Sequence, residues 1–120
     1  MEVIYENKLI RVEVEEAEVP WLKIFLQEPY EVLVETPQKV KAEALRVLDI
    51  ISQEMIANYD PDKINILSFG SSLPNLYWHV IARFKNDSYF PEPMLGEKQR
   101  EGEYKLENLK SFLGTIKERL

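Results

Sequence analysis

The side chains best suited to chemistry lie close together in the run NLYWHVIAR at residues 75–83. Apolar residues alternate there with Asn75, Tyr77 and His79. At the same spacing of two, Ile81 and then Arg83 follow His79. This period of two is typical of a β-strand, so the polar side chains are predicted to share one face. Such a face is suited to lining a ligand site, with His79 as the candidate acid or base. A lone histidine on a strand is also commonly a hydrogen-bonded structural residue, and the spacing fits both roles.

A short glycine-containing turn precedes this run. The backbone N–H groups of residues 70–73 and the hydroxyls of Ser71 and Ser72 are donors that can bind an anion without a lysine. The turn contains one glycine, Gly70, and the chain has neither a G-x-x-x-x-G-K-[ST] nor a G-x-G-x-x-G motif. We therefore expect a small anionic ligand to bind at residues 70–72, with His79 nearby.

Composition excludes several other kinds of site. The chain has no cysteine and one histidine, which excludes disulfides, thiolate chemistry and a histidine–cysteine metal centre. We expect no metal and no cofactor, and we interpret the acidic run from Glu13 to Glu18 as a solvated turn. The formal net charge of −6 repels phosphate backbones, which argues against nucleic-acid binding.

The length of the chain predicts a single domain over residues 1–120. No run approaches the roughly 18 apolar residues of a membrane span. Residues 1–9 lack the basic start of a secretory signal peptide. We therefore expect a cytoplasmic protein that does not contact membranes.

Strands are predicted on both sides of a long helix. The pattern predicts strands at 5–14 and 21–26 that form an antiparallel hairpin, with Val12 and Val14 facing inward. It also predicts strands at 64–70 and 76–84 as two adjacent central strands. On the second of these, the residues expected in the core are Leu76, Trp78, Val80, Ala82 and Phe84.

A helix is predicted over residues 37–58. Thr36 is a favourable N-cap residue, and Pro37 suits the first helical position. The apolar residues form one stripe at 3.6 residues per turn: Val40, Ala44, Val47, Leu48, Ile51 and Met55. This stripe predicts that the helix packs on the sheet.

Three further aliphatic residues, Leu45, Ile50 and Ile56, lie off that stripe and suggest a second partner surface. We interpret them as part of a homodimer interface, although isolated surface aliphatic residues are also common. A C-terminal amphipathic helix is predicted from Leu106 to Leu120.

Four runs of residues carry a family resemblance: PDKINI at 61–66, SFG at 68–70, LPNLYWHVIARF at 73–84 and YFPEP at 89–93. Together they resemble the histidine triad (HIT) superfamily of nucleotide hydrolases and transferases, specifically its bacterial HIT-like branch. The resemblance implies an α+β fold with an antiparallel sheet, one long helix and a C-terminal helix. It also implies that the sheet continues across a homodimer. It also implies a small nucleotide or another phosphate-containing ligand.

The triad itself is degenerate in this chain. The family motif is His-φ-His-φ-His, where φ is apolar, and Asn75, Tyr77 and His79 occupy its three histidine positions. In the family the middle histidine attacks the α-phosphate and the outer two organise it, so Tyr77 stands at the position of the nucleophile. The turn at residues 70–72 resembles the family's phosphate-binding turn. Leu95 replaces the tryptophan usually found at the edge of the base pocket.

The change of nucleophile bears on turnover. An imidazole with a pKa near 6.5 is mostly neutral and nucleophilic at pH 7, whereas a phenol with a pKa near 10 is only about 0.1 % ionised. A nucleotidyl phenol ester is also a poorer leaving system than a protonated phosphoramidate. We therefore expect a nucleotide-binding or anion-binding protein whose hydrolase activity is lost or strongly reduced. The alternatives are an active phosphohydrolase or nucleotidyltransferase, and a non-catalytic protein-interaction module.

Overall fold

An antiparallel sheet organises the molecule. The computed structural model describes residues 2–69 and 75–120. Its elements are β1 (Glu2–Glu6), β2 (Ile10–Val14), β3 (Trp21–Leu26), a 3-10 helix (Leu33–Glu35), α1 (Gln38–Tyr59), β4 (Lys63–Leu67), β5 (Tyr77–Arg83) and α2 (Leu109–Arg119). The five strands lie in the order β1-β2-β3-β5-β4, and every neighbouring pair is antiparallel. This arrangement confirms the predicted α+β fold with one long helix and a C-terminal helix.

The single strand predicted over residues 5–14 is wrong, because this segment forms two strands joined by a turn. Asn7 Oδ1 accepts hydrogen bonds from the backbone N–H groups of Leu9 (2.8 Å) and Ile10 (2.9 Å). An asparagine that bonds the backbone two or three residues further on is a common turn former. Leu9 and Ile10 also interrupt the apolar alternation, which is the sequence sign of this turn. Val12 and Val14 are buried, as predicted.

β2 and β3 form the predicted antiparallel hairpin. β4 and β5 are adjacent, as predicted, but only β5 is central. β3 occupies the other side of β5, so β4 is an edge strand and the prediction of two central strands is wrong for β4. This difference arises because the partner of β5 comes from a distant part of the chain, which local patterns do not reveal.

α1 packs across β2, β3 and β5. The buried residues of α1 are the six of the predicted stripe: Val40, Ala44, Val47, Leu48, Ile51 and Met55. The predicted cap is wrong, because the Thr36 hydroxyl donates a hydrogen bond to the Val32 carbonyl (3.1 Å) and the helix begins one residue later, at Gln38. The predicted buried residues of α1 are therefore correct, although the predicted N-cap of the helix is wrong.

α2 packs against α1 and β1. The helix begins at Leu109, three residues later than predicted, and Asn108 precedes it in the left-handed conformation at φ 57°. Its buried residues are Phe112 and Ile116. Within residues 2–69 and 75–120, no helix has both the length and the hydropathy that crossing a membrane requires.

Candidate functional site

The pairing of β3 with β5 assembles the candidate site. Lys23 lies directly opposite His79, and Phe25 lies directly opposite Tyr77. Directly paired residues of an antiparallel ladder project from the same face of the sheet. Trp21, two residues before Lys23, projects from that face as well. The two strands therefore bring a cation, an imidazole and three aromatic rings together.

This face is buried, although the sequence suggested a face open to a ligand. Tyr77 is 8 % exposed and His79 is 4 % exposed. Arg83 is also buried, and its guanidinium donates to both carboxylate oxygens of Asp87 (2.9 and 3.1 Å) and to Asn65 Oδ1 (2.8 Å). Arg83 therefore belongs to a buried ion pair and does not contribute to a ligand site.

Asp87 organises the segment that follows β5. Its carboxylate accepts hydrogen bonds from the backbone N–H groups of Phe84, Tyr89 and Phe90 at 2.8 to 3.0 Å. Burial acts to raise the pKa of Asp87, but the hydrogen bonds from Arg83 and from these backbone groups outweigh it and hold the pKa below its ordinary value. The carboxylate is therefore ionised and fixes the chain as it leaves the sheet.

The aromatic rings of this face pack across β3 and β5, and Arg11 of β2 adds a cation. The Tyr77 and Phe25 rings are nearly parallel, with centroids 4.9 Å apart, and the Arg11 guanidinium lies 4.6 Å from the Phe25 centroid. The His79 and Tyr77 rings meet edge to face at a centroid distance of 5.1 Å. Tyr77, which the family resemblance assigned to the nucleophile position, is thus packed against Phe25 on one side and meets His79 on another.

His79 is held by Trp21. The Trp21 indole Nε1–H donates a hydrogen bond to His79 Nδ1 at 3.0 Å, and the two rings meet edge to face. Burial lowers the pKa of His79 below its ordinary value, the nearby Lys23 ammonium lowers it further, and the Glu15 carboxylate opposes both effects. The structure therefore favours a neutral imidazole at pH 7.

Lys23 and Glu15 are site residues that the sequence analysis missed. The Lys23 ammonium lies 2.8 Å from Glu15 Oε2, and both side chains line the same cavity as His79. The alternation of Trp21, Lys23 and Phe25 along β3 could have predicted that these side chains share one face. The sequence could not predict that this face pairs with His79, because that depends on which strand lies beside β5.

The acidic run from Glu13 to Glu18 is not the solvated turn expected from the sequence. Glu13 is 9 % exposed and pairs with Arg11. Glu18 accepts hydrogen bonds from the backbone N–H of Ser88 (3.0 Å) and from its hydroxyl (2.8 Å). Since Glu15 pairs with Lys23, these carboxylates join the hairpin to the site and to the segment after β5.

A cavity of about 320 Å³ opens beside His79. The described residues that line it are Glu15, Trp21, Lys23, Phe69, Tyr77, His79 and Leu95. Phe69 and Leu95 are 47 % and 53 % exposed, whereas Trp21, Tyr77 and His79 are buried. The cavity therefore has an accessible apolar rim, and Lys23 and His79 provide polar groups deeper within it.

The remaining predicted site residues lie elsewhere. Asn75 is half-buried in a bend before β5 and is not among the described residues that line the cavity. Gly70, Ser71 and Ser72, the predicted phosphate-binding turn, lie outside the described residues. Of the three residues at the histidine positions of the motif, the structure therefore brings only Tyr77 and His79 together at the cavity.

The fold is shared with several solved structures. A histidine triad protein from Marinobacter aquaeolei VT8 has a TM-score of 0.81 at 23% identity, over 99% of this chain and 90% of its own. One from Bradyrhizobium japonicum has a TM-score of 0.79 at 24% identity, over 98% of this chain and 88% of its own. A hypothetical histidine triad nucleotide-binding protein from Sulfolobus tokodaii has a TM-score of 0.58 at 15% identity, over 97% and 78%. No family model and no curated protein sequence matches this chain.

The chain therefore has the histidine triad (HIT) fold. This finding confirms, at the level of the fold, the resemblance drawn from the sequence. The candidate site lies on β5, the strand whose sequence carries the resemblance to the HIT motif. The assignment of Tyr77 and His79 to the second and third histidine positions stays a prediction.

Proposed function

We propose that this protein binds a nucleotide or a related phosphate-containing ligand beside His79, and that its hydrolase activity is lost or strongly reduced. The observation that carries the proposal is the pairing of Lys23 with His79, which puts a cation and an imidazole side by side in a cavity that is also lined by aromatic and aliphatic side chains. Polar groups set among apolar side chains are typical of small-molecule sites. The Sulfolobus tokodaii protein of the same fold, described as nucleotide-binding, supports the same ligand class.

The cavity divides into two parts that match the two halves of a nucleotide. The phosphate would contact Lys23 and His79, where it would compete with the Glu15 carboxylate for the ammonium. The base would contact the two exposed side chains of the rim, the Phe69 ring and Leu95. A volume of about 320 Å³ lies at the small end of ligand sites, so a nucleoside monophosphate is a better match than a dinucleotide. The amides of residues 70–72 stay the sequence-based candidates for further phosphate contacts.

The surroundings of Tyr77 support the loss of hydrolysis. A phenol is a weak nucleophile at pH 7, and a base within hydrogen-bond reach of its oxygen is a common way to activate it. No residue within 2–69 or 75–120 makes a hydrogen bond to the Tyr77 phenol oxygen, and the His79 ring meets Tyr77 edge to face rather than through such a bond. Nδ1 of His79 already accepts its hydrogen bond from Trp21. The described residues therefore provide no hydrogen-bonded base for Tyr77.

Thermal unfolding with AMP, adenosine and inorganic phosphate tests the proposal. AMP is expected to raise the melting temperature, because a ligand that binds only the folded state stabilises it. Lys23→Met is expected to weaken AMP binding by about tenfold, the usual worth of a charge-assisted hydrogen bond, and to leave adenosine binding unchanged. Lys110→Met, on α2 and away from the cavity, is the matched control. If none of the three compounds raises the melting temperature, the proposal is wrong and an interaction module is favoured.

An assay of steady turnover separates a binding protein from an enzyme. Repeated release of AMP from an adenosine phosphoramidate would support the active hydrolase or transferase instead. A melting temperature raised by AMP, with no steady release, would support the binding protein. The two measurements use the same protein and ligand class, so they can be compared directly.

We also propose that the chain forms a homodimer through β4. β4 is an edge strand, and an edge strand presents unpaired N–H and C=O groups that can pair with another chain. Ile66 on β4 is 51 % exposed and is paired across the ladder with Val80. Leu33 and Leu45 are 53 % and 60 % exposed and line a shallow cavity with Trp78. These apolar groups lie toward the same edge of the sheet and would be buried in the dimer.

A further inference from the structure

We infer that Trp21 is a positioning residue that keeps His79 neutral with its proton on Nε2, so that His79 meets a ligand as an N–H donor. The inference deepens the proposed function, on which it rests, by assigning the chemistry of the ligand group at His79. That group accepts a hydrogen bond, as a phosphate oxygen does, rather than donating one. Nothing in the spacing of the HIT motif assigns a role to Trp21.

The assignment follows from the direction of one hydrogen bond. An indole nitrogen can only donate, so His79 Nδ1, at 3.0 Å from Trp21 Nε1, must be an acceptor without a proton. A neutral imidazole carries one proton, which must then lie on Nε2. Within residues 2–69 and 75–120, no hydrogen bond engages Nε2. It is therefore the ring nitrogen available to a ligand in the cavity that His79 lines.

The bond also opposes protonation of the ring. A second proton would have to be placed on Nδ1, where it would face the indole N–H and break the hydrogen bond. Trp21 and His79 are both buried, at 8 % and 4 % exposure, so the indole would lose its partner in a place where unpaired polar groups are costly. Trp21 therefore penalises the imidazolium form.

This polarity is opposite to that of a catalytic imidazole. In hydrolytic triads, a carboxylate accepts a hydrogen bond from the Nδ1–H of the histidine, which stabilises the imidazolium and leaves the other nitrogen free to take a proton. In this protein the Trp21 indole donates a hydrogen bond to Nδ1 of His79, and the other ring nitrogen, Nε2, already carries the proton. His79 is thus suited to hold an acceptor and poorly suited to act as a general base.

Two charged groups act on the same ring and must be included in any measurement of pH dependence: Lys23 on β3 and Glu15 in the loop after β2. The phenol of Tyr77 on β5 also faces the ring. Comparing a Trp21 variant with the wild-type protein at each pH removes the contributions that these groups make to both. The same comparison removes the ionisation of the AMP phosphate.

The first experiment needs no variant. Because His79 is the only histidine, its ring resonances in a ¹⁵N-histidine sample are unambiguous. In the ligand-free protein at pH 8, Nδ1 is expected to resonate as an unprotonated acceptor and Nε2 as a protonated nitrogen. The Trp21 indole proton is expected to shift as His79 titrates, because protonation removes its acceptor. An indole resonance that ignores the titration of His79 would overturn the inference.

The second experiment removes the indole N–H and keeps an aromatic ring. Trp21→Phe is expected to raise the pKa measured for His79 toward that of a free histidine. Trp78→Phe changes the other tryptophan, which projects from the opposite face of β5, and is expected to leave the titration unchanged. An unchanged His79 titration in folded Trp21→Phe would also overturn the inference.

The third experiment measures AMP affinity from pH 6 to pH 8. In Trp21→Phe, the affinity relative to wild type is expected to rise by about fivefold as His79 becomes charged at low pH, since hydrogen bonds from a charged donor are stronger. A ratio that stays constant with pH would contradict the assigned role. If wild-type protein binds no AMP, the proposed function fails, and the titrations without ligand still decide the role of Trp21.

Discussion

Lys23 and His79 occupy directly opposed positions on β3 and β5, so a lysine ammonium lies beside the only imidazole of the chain. Burial lowers the pKa of His79 and the charge of Lys23 lowers it further, although Glu15 acts in the opposite direction. A proton taken up by His79 is therefore expected to lower the stability of the fold.

The first prediction concerns stability and pH. His79 has a lower pKa in the folded protein than in the unfolded chain, so the unfolded state binds the proton more readily. The contribution of His79 to the free energy of unfolding is therefore fully present above the unfolded pKa, near 6.5, and is lost as the pH falls toward the folded pKa. The slope in this window cannot exceed about 1.4 kcal/mol per pH unit for one group. Urea unfolding between pH 5 and pH 8 measures it.

His79→Gln is the control for this prediction, because glutamine does not titrate and its oxygen can still accept from Trp21. In the wild-type protein, the free energy of unfolding is expected to fall between pH 7 and the folded pKa of His79. In the variant, this fall is expected to be absent. Equal pH profiles for the variant and the wild-type protein would show that another group is responsible.

The second prediction concerns the Arg83–Asp87 pair. Both side chains are buried, at 2 % and 0 % exposure, so Asp87→Asn leaves the guanidinium charge without its partner. Breaking a buried pair in this way commonly costs about 3 kcal/mol or more. Chemical denaturation should detect this loss, whereas Glu101→Gln, which removes the exposed Lys98–Glu101 pair, should leave the midpoint unchanged. Equal stability of Asp87→Asn and wild type would contradict a structural role for the pair.

The third prediction concerns hydrolysis. Release of AMP from an adenosine phosphoramidate is expected to be absent or very slow, and Asn75→His combined with Tyr77→His is expected to restore part of it. Loss of a covalent nucleophile commonly costs several powers of ten, and acid or base assistance is worth roughly 10² to 10⁴. Tyr77→His alone should therefore restore less than the pair, and adding His79→Gln should remove the gain. Wild-type turnover of about 1 per second or faster, abolished by Tyr77→Phe, would identify the phenol as the nucleophile.

The fourth prediction concerns the oligomeric state. Sedimentation at tens of micromolar is expected to show a dimer, since stable interfaces bury on the order of 1,200 Å² or more. Ile66→Glu places a charge at an exposed side chain of edge strand β4 and is expected to shift the protein toward the monomer. Val3→Glu, on the opposite edge strand β1, is the matched control and should remain dimeric. A wild-type monomer at these concentrations would refute the proposed dimer.

The sequence by itself determined the elements whose pattern is local. The stripe of α1 was predictable residue by residue, because a helix that packs on a sheet buries every third or fourth side chain. β3 was predictable to its end residues, and the alternation along β5 placed Tyr77 and His79 on one face. The resemblance to the HIT superfamily also rested on residue types at fixed spacing, and it is confirmed at the level of the fold. The assignment of Asn75, Tyr77 and His79 to the three histidine positions stays a prediction.

The tertiary structure decided what surrounds those residues. The hydrogen bond from Trp21 to His79 spans 58 positions of the chain, and the pairing of Lys23 with His79 spans nearly as many, so both depend on β3 lying beside β5. The same strand order buried Arg83 against Asp87 and made β4 an edge. Local periodicity carries no information about which distant strand pairs with which, because any strand with one apolar face satisfies the same pattern. The candidate histidine could therefore be identified from the sequence. The Trp21 indole, whose hydrogen bond determines which nitrogen of His79 carries the proton, could be identified only from the fold.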